Sequence, residues 1–304
     1  MFGWKAKRHF TRELEIAPPM PDADRHGIAI VACVKNEERY IEEWVRFHKA
    51  VGVRHFHIYD DGSTDRTEAV LRGALDASEL TVIPWKMRMH DRASMEVLNG
   101  QNIAFAHAIL NFGGRYQRMA FIDVDEFLLP CKGGTLEEAL EGAGGFPNIS
   151  LPWHMFGHSG HVARPAQPVC LSYVTRVDDP MRQDADAANF KCIVDPCEVV
   201  GVSVHHFRTR GQDERTANDA GRIFDRRSRK RPEFYSSEFI QLNHYYARSE
   251  EELKEKIDRG WSFDKSSEKY RHKVLSTIRY IEDNVVEDRR MVDFVRENGI
   301  SLKA

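Results

Sequence analysis

The chain has 304 residues, of which 41% are hydrophobic and 30% are charged. This composition is typical of a soluble globular protein, and the length suffices for one large domain with a substantial core. The formal net charge of -3 excludes the global basic field that nucleic-acid binding usually requires, so we expect no nucleic-acid partner.

The first 25 residues are predicted to form a polar arm, with three prolines near its end and no apolar segment behind its basic residues. No run in the chain approaches the ~20 apolar residues of a membrane span, so we expect neither a signal peptide nor an anchor. The five cysteines are scattered without a C-x-x-C pair, which favours reduced thiols and a cytoplasmic location. That location allows peripheral association with the inner face of a membrane.

Strand and helix patterns alternate over the next hundred residues. The run GIAIVACV at 27–34 is continuously apolar, as buried parallel strands are. The elements predicted after it are a helix ending before Gly52, a strand from residue 55, a helix over 67–75, a strand over 80–85, a helix over 94–110 and, in MAFIDVDEFLLP at 119–130, a strand that ends at the acidic residues. This order predicts an α/β fold with an open, mostly parallel sheet flanked by helices.

After residue 130 the pattern loosens into short strands and loops whose order the sequence does not give. Ser249 and Glu252 form a capping box for a helix ending near Gly260, and residues 266–298 predict one or two amphipathic helices. We therefore predict an arm over 1–25, a domain over 26–247 and a C-terminal helical extension over 248–304.

Three of the predicted strands end in polar residues. These ends are Lys35-Asn36-Glu37, Asp60-Asp61-Gly62-Ser63-Thr64-Asp65 and Asp123-Val124-Asp125-Glu126. Because ligands bind at the carboxyl ends of strands in open α/β sheets, the three ends predict a single crevice. Its many oxygen ligands and its lack of paired thiolates favour Mg²⁺ or Mn²⁺ over zinc.

Asp123 and Asp125 form a D-x-D pair, the strongest candidate for holding that ion. Residues i and i+2 of a strand share a face, so both carboxylates approach one ion, or one binds the ion and the other a ribose hydroxyl. An isolated D-x-D is more often a pair of solvated loop acids. Here apolar residues on both sides hold the acids at the edge of a core, where unpaired charge is costly, and this favours a bound cation.

Four segments, in this order, resemble bacterial members of the glycosyltransferase family 2 and family 92 group. They are VACVKNEERYIEEWVRFHKAVGVRHFHIYDDGSTD, FIDVDEFLLP, LPWHMFGHSG and NHYYARSEEELKEKIDRG. DDGSTD and D-x-D are moderate signals singly, whereas the ordered set is specific. The resemblance implies the GT-A fold, a Rossmann-like mixed sheet of nucleotide-diphospho-sugar transferases. Residues 26–130 would be its nucleotide-sugar half and 131–247 its acceptor half.

The resemblance also implies roles for four acids. It places the base and ribose of the donor, a UDP-sugar, at Asp60 and Asp61. It places a divalent ion on the donor diphosphate, Mn²⁺ or Mg²⁺, at Asp123 and Asp125.

Many proteins of this fold use a late histidine as a further metal ligand. The candidates here are His244 in NHYY and His205 or His206 in SVHHF, where His206 would share a strand face with Val202 and Val204. A lone histidine is more often structural than a ligand.

Four more residues are candidates for donor binding or catalysis. Lys191 lies where a cation offsets a diphosphate, with a solvated lysine as an equal alternative. Asn36 approaches the base or the sugar, unless it caps a helix. Asp178 and Asp179 are the nominated bases, although a plain Asp-Asp-Pro turn is the favoured interpretation of these two.

The function predicted from these residues is metal-dependent transfer of a sugar from a nucleotide sugar to a glycan, glycolipid or other hydroxyl acceptor, with inversion as in family 92. A phosphatase with an aspartyl nucleophile is disfavoured, because Phe127 stands where those enzymes carry Thr or Val. A sugar-binding module or an inactive scaffold is the alternative from another class. The basic tract at 222–231 is a lid, an acceptor site or a solvated loop.

Overall fold

A computed structural model describes residues 10–11, 13–92, 97–182, 189–259 and 268–303. The strands are β1 (Phe10–Thr11), β2 (Leu14–Glu15), β3 (Ile28–Val34), β4 (Val53–Asp60), β5 (Leu80–Pro84), β6 (Met89–His90), β7 (Val97–Leu98), β8 (Arg118–Phe121), β9 (Glu126–Pro130), β10 (Asn148–Met155), β11 (Thr175–Val177), β12 (Phe190–Val194), β13 (Val199–Ser203), β14 (His206–Thr209), β15 (Arg215–Ala217), β16 (Ile223–Asp225), β17 (Ile240–His244) and β18 (Val285–Glu287). The helices are α1 (Ile41–Ala50), α2 (Thr67–Ala74), α3 (Gly100–Phe112), α4 (Leu136–Leu140), α5 (Val169–Ser172), α6 (Glu250–Arg259), α7 (Glu268–Asp283) and α8 (Arg290–Glu297).

A large mixed sheet organises these elements. Its strands lie in the order β16-β15-β10-β12-β8-β3-β4-β5. Strands β8, β3, β4 and β5 are parallel, whereas β12 lies antiparallel between β8 and β10. The end of β10 pairs with β17, which pairs in turn with β9. The predicted α/β class, a mixed sheet flanked by helices with C-terminal helices, is confirmed.

Both faces of β3 are buried, which explains its continuous apolar run. Successive residues of this strand enter different clusters: Ile30 joins Trp44 and Phe47 of α1, and Val31 joins Phe105 of α3. Because side chains alternate across a strand, a strand covered on both sides needs apolar residues at every position.

Two predicted elements differ from the structure. The helix expected over 94–110 begins at Gly100, because the side chain of Asn99 accepts hydrogen bonds from the amides of Gln101 and Asn102 and so caps the helix there. Residues 94–96 of that prediction lie outside the described residues. The strand expected through SVHHF is a tight hairpin of β13 and β14, in which Ser203 pairs with His206.

The C-terminal extension contains α6, α7 and α8. The predicted capping box of α6 is confirmed, since Ser249 Oγ accepts from the amide of Glu252 and the Glu252 carboxylate accepts from the amide of Ser249. Gly260 lies outside the described residues, and the boundaries of the arm, domain and extension stay predictions. Among the described helices, none has both the length and the apolar composition that a membrane crossing requires.

Candidate active site

The D-x-D pair lies in a turn between two strands. The acids follow the end of a strand, as predicted, because β8 ends at Phe121 and the next strand, β9, begins at Glu126. The two strands have different partners, β8 pairing with β3 and β12, and β9 with β17. Asp123 and Asp125 thus lie in a turn and do not share one face of a strand, so that prediction is wrong.

Both acids nevertheless line one cavity of about 260 Å³. Its wall is built from the end of β3, the start of α1, the D-x-D turn, the loop after β17 and helix α6. The lining residues are Cys33, Glu37, Tyr40, Asp123, Val124, Asp125, Tyr246, Ala247, Arg248, Glu252, Glu255 and Lys256. Two of the three strand ends predicted to form one crevice therefore line this cavity, those after β3 and β8, whereas residues 60–65 are not among its lining residues, and α6 closes one side of it.

Asp123 is held by a buried cation. Lys191, whose side chain is 1% exposed, places Nζ 2.7 Å from Asp123 Oδ2 and 3.5 Å from Glu126 Oε2. Gln101 Nε2 donates to the other oxygen of Asp123 at 3.0 Å. Burial lowers the pKa of Lys191, but the charges of Asp123 and Glu126 outweigh it and raise that pKa. Lys191, predicted to offset a diphosphate, thus offsets Asp123 in this structure.

Glu126 lies beneath the turn and is the most deeply buried of its acids. Its side chain is fully buried, Oε2 accepts from the amide of Asp123 at 2.7 Å, and Oε1 has no partner among the described residues. Burial raises the pKa of Glu126 well above its usual value, and Lys191 offsets only part of that rise. Glu126 therefore ties the turn to Lys191.

Asp125 meets a histidine and a lysine. Its Oδ2 lies 3.4 Å from His244 Nε2 and 3.6 Å from Lys256 Nζ. Burial alone would raise the pKa of Asp125, but the charges of His244 and Lys256 lower it well below the usual range. Strand pairing explains the contact with His244, because this residue lies opposite Glu126 in the β17–β9 ladder.

The other predicted histidines have different surroundings. His205 Nδ1 lies 3.0 Å from the carbonyl oxygen of Phe190. Burial lowers the pKa of His205, and the nearby charges of Lys191 and Asp123 act on that pKa in opposite directions. His206 is 2% exposed, and burial, followed by the charges of nearby arginines, lowers its pKa to about 3. The structure does not bring His206 to the D-x-D turn, because the hairpin turns it away from the strand face it was predicted to share.

The ends of β3 and β4 meet, as predicted. Asn36 has a φ of 56°. Its side-chain oxygen accepts from the backbone amide of Thr64 at 2.8 Å, and its backbone amide donates to Ser63 Oγ at 2.9 Å. Asp60 Oδ1 accepts from the amide and hydroxyl of Ser63 at 2.9 and 2.6 Å. Asn36 therefore ties the two loops together and does not cap α1, which begins five residues later.

Asp61 lies on the open side of these loops. Its side chain is 42% exposed, and Oδ2 lies 3.2 Å from Lys35 Nζ. An exposed pair of this kind contributes little to stability, so the carboxylate is available to a ligand. Nucleotide binding by Asn36, Asp60 and Asp61 stays a prediction.

Asp178 and Asp179 lie away from the cavity. Asp178 forms an ion pair with Arg182 at 2.9 Å, and the Asp179 carboxylate accepts from the amide of Met181 at 2.8 Å. The amide of Asp178 donates to the carbonyl oxygen of Asn284, beside the C-terminal helices. This geometry favours the plain turn over the nominated catalytic role.

Comparison with known proteins identifies the chain. The family model described as Glycosyltransferase family 92 matches residues 29–289. The chain belongs to glycosyltransferase family 92. The family 92 relatives it resembles include a protein of Ricinus communis, 31% identical over 196 residues, and one of Oryza sativa subsp. japonica, 30% identical over 196 residues.

The matches with the family 92 relatives cover part of this chain and a smaller part of each relative. Each match covers 61% of this chain, and 32% or 30% of the relative, so the chain spans about a third of the length of the relatives it matches. Both are plant proteins, which lends no support to the bacterial subgroup of the resemblance.

Two solved structures are similar to parts of this family 92 chain. S. aureus TarS is 14% identical with a TM-score of 0.36, covering 91% of this chain and 75% of its own. Glucosyl-3-phosphoglycerate synthase from Mycobacterium tuberculosis, in complex with Mn²⁺, UDP-glucose and phosphoglyceric acid, is 16% identical with a TM-score of 0.30, covering 56% of this chain and 57% of its own. Similarity at this level says nothing about what this chain binds.

The site contains side chains that fit a divalent ion whose remaining coordination positions are filled by a bound substrate and water. Among the described residues, no group of three His, Cys, Asp or Glu side chains forms a ready metal site. Asp125 and His244 nevertheless supply an oxygen and a nitrogen 3.4 Å apart. Mg²⁺ and Mn²⁺ commonly take one or two protein ligands and complete their shell with substrate phosphates and water. Asp125 and His244 are therefore the two residues that would hold such an ion.

Several residues that line the cavity were not predicted from the sequence. Tyr40, Arg248 and Lys256 all line it, and none stood out as a candidate. The capping box located α6 along the chain, but no sequence signal showed that α6 lies against the start of α1. The link is Glu252, whose Oε1 accepts from Tyr40 Oη at 2.6 Å and whose Oε2 accepts from Tyr173 Oη at 2.7 Å.

Replacing Glu252 with glutamine in this family 92 chain should reduce stability in a pH-dependent way. Burial raises the pKa of Glu252, but hydrogen bonds from Tyr40, Ser249 and Tyr173 lower it to about 2. A depressed folded pKa contributes stability that is fully present above the unfolded pKa of roughly 4.3 and is lost as the pH falls toward the folded pKa. We expect a loss of about 1–3 kcal/mol at pH 7, shrinking between about pH 4.3 and pH 2.

Urea denaturation of both proteins from pH 7 to pH 3 measures this difference. A stability difference that stays constant across that range would show that Glu252 does not act through its charge. Glu137→Gln, on the exposed side of α4, is the control and should change stability by less than about 0.5 kcal/mol.

Proposed function

We propose that this chain transfers a sugar from a UDP-sugar to a hydroxyl of a glycan or glycolipid, with a divalent metal ion and with inversion. The observation that carries the proposal is the D-x-D turn of a family 92 chain, whose two acids line one cavity with Asp125 beside His244. Cytoplasmic location and association with the inner face of a membrane are predictions added to it.

The two acids of the D-x-D turn have different roles in this proposal. Asp125 and His244 would hold the ion, which when bound supplies Lewis-acid stabilisation of the leaving diphosphate. Asp123 keeps a fixed position through Lys191 and Gln101, so its carboxylate is oriented before a ligand enters. A ribose hydroxyl is the partner we assign to Asp123.

The loops after β3 and β4 form the second part of the donor site. Asn36 ties these loops together, and Asp60 is fixed by Ser63, which leaves Asp61 exposed beside them. We assign the base and ribose of the donor to this edge. Inversion rests on the family resemblance, because the nominated bases Asp178 and Asp179 lie outside the cavity.

The test is a screen of nucleotide-sugar hydrolysis with the purified chain. UDP-glucose, UDP-galactose, UDP-N-acetylglucosamine and GDP-mannose would each be incubated with Mn²⁺ or with EDTA. We expect release of UDP from one donor with Mn²⁺, and little release with EDTA. Calorimetry with UDP should show binding that Mn²⁺ strengthens.

A sugar-binding module is the alternative that the same experiments address. Such a module would bind free glycans in calorimetry, and neither UDP nor Mn²⁺ would change that binding. Failure of every nucleoside diphosphate to bind, with and without Mn²⁺, would overturn the proposed transferase.

A further inference from the structure

Two cations line the cavity beyond the D-x-D turn. Arg248 follows β17, and Lys256 lies on α6. Each stands over an aromatic ring: Arg248 Cζ lies 3.6 Å from the centroid of Tyr40, and Lys256 Nζ lies 3.8 Å from that of Tyr246. A ring face attracts a cation without using its N–H donors, so the donors of Arg248 stay available to a ligand, whereas Lys256 Nζ donates to the carbonyl oxygen of Tyr246 at 3.1 Å.

Arg248 lacks the partners that the other charged groups of the cavity have. Lys191 pairs with Asp123, and Lys256 lies 3.6 Å from Asp125. The Arg248 side chain forms no hydrogen bond or ion pair with the residues that the structure describes, and its Nε is buried without an acceptor. Buried charged donors without acceptors are costly, so this guanidinium is placed to receive an anion.

The backbone holds Arg248 in an uncommon conformation. Its φ is 51°, a left-handed value that few non-glycine residues adopt. The carbonyl oxygen of Arg248 accepts from His158 Nδ1, and the capping box of Ser249 and Glu252 fixes the next residues. Glu252 also accepts from Tyr40 Oη, so the same carboxylate fixes the ring over which the guanidinium lies. Conformations of this kind persist where the surroundings fix them, often at ligand sites.

The charge and shape of this group indicate its ligand. The planar guanidinium fork matches phosphate oxygens, and Arg248 lines the same cavity as the D-x-D acids. We propose that Arg248, held over Tyr40, binds a phosphate of the donor nucleotide, with Lys256 as a second positive charge beside it. This inference rests on the proposed function, since the nucleotide diphosphate is the anion that function brings to the cavity.

The experiment compares the full chain with Arg248→Met and Arg248→Lys by calorimetry, using UDP and inorganic pyrophosphate, each with Mn²⁺ and with EDTA. We expect Arg248→Met to bind UDP about 10- to 100-fold more weakly, the range for losing a charged hydrogen bond. Arg248→Lys should lose less, because it keeps the charge without the fork. Tyr40→Leu should weaken binding more than Tyr40→Phe, which keeps the ring.

Arg72→Met is the matched control, since Arg72 is an exposed arginine on α2 paired with Glu68. It should bind UDP as the unchanged chain does, and a urea denaturation curve shows that each variant is folded. Equal UDP affinity in Arg248→Met and the unchanged chain would overturn this inference and leave the proposed function standing. Pyrophosphate binding that needs Arg248, without binding of any nucleotide, would sink the proposed function and keep the anion site. Absence of both kinds of binding overturns both.

Discussion

Replacing Asp125 with asparagine is expected to abolish the effect of Mn²⁺ on UDP binding and to slow sugar transfer about a thousandfold. The carboxylate lies 3.4 Å from His244 Nε2, and the substitution removes the charge that would hold a divalent ion there. Lewis-acid catalysis supplies several kcal/mol of transition-state stabilisation, and each loss of about 1.4 kcal/mol is a tenfold loss of rate. Asparagine keeps the shape of the side chain, so the effect reports on charge.

Calorimetry with UDP and a donor-hydrolysis assay, both with and without Mn²⁺, measure this effect. Asp293→Asn on α8 is the control, because Asp293 is exposed and lies outside the cavity. Asp125→Asn also removes the anion beside Lys256, so urea denaturation must show a folded variant. A folded Asp125→Asn chain whose UDP affinity still rises with Mn²⁺ would refute the assignment of Asp125 to the metal ion.

Replacing Lys191 with methionine is expected to reduce the free energy of unfolding by about 3–5 kcal/mol, the range for removing one partner of a buried ion pair. The lysine is 1% exposed and lies between Asp123 and Glu126, so its loss leaves two neighbouring carboxyl groups without their cation. Methionine fills a similar volume, which limits the contribution of a cavity. The D-x-D turn should lose its fixed position together with the stability.

Urea denaturation at pH 7 measures the loss, and two further variants test its cause. Adding Glu126→Gln to Lys191→Met should recover about 1–2 kcal/mol, because the buried carboxyl group left without its cation is then replaced by a neutral amide. Lys132→Met is the matched control: Lys132 pairs with Glu238 on the surface, where removing a lysine should change stability by about 0–1 kcal/mol. Equal effects at Lys191 and Lys132 would contradict a role for the buried pair.

The sequence predicted the elements of the first half because their patterns are local. The run from Ile28 to Val34 is apolar at every position because both faces of β3 are covered, and the capping box of α6 depends on residues three apart. The D-x-D acids were correctly predicted to follow the end of a strand, but the turn that carries both of them was not predicted. Apolar residues flank it on both sides, and only pairing partners show that β8 and β9 belong to different ladders.

The sequence by itself determined the α/β class, the acids at the strand ends and the resemblance to family 92. The tertiary structure decided which side chains meet there. Antiparallel pairing of Cys192 with Phe121 brings Lys191 past the end of β8 to Asp123, and pairing of His244 with Glu126 brings that histidine, and not His206, to Asp125. Arg248 reaches Tyr40 across more than two hundred residues of chain. Contacts so distant in sequence depend on strand order and helix docking, which no local pattern of residues encodes.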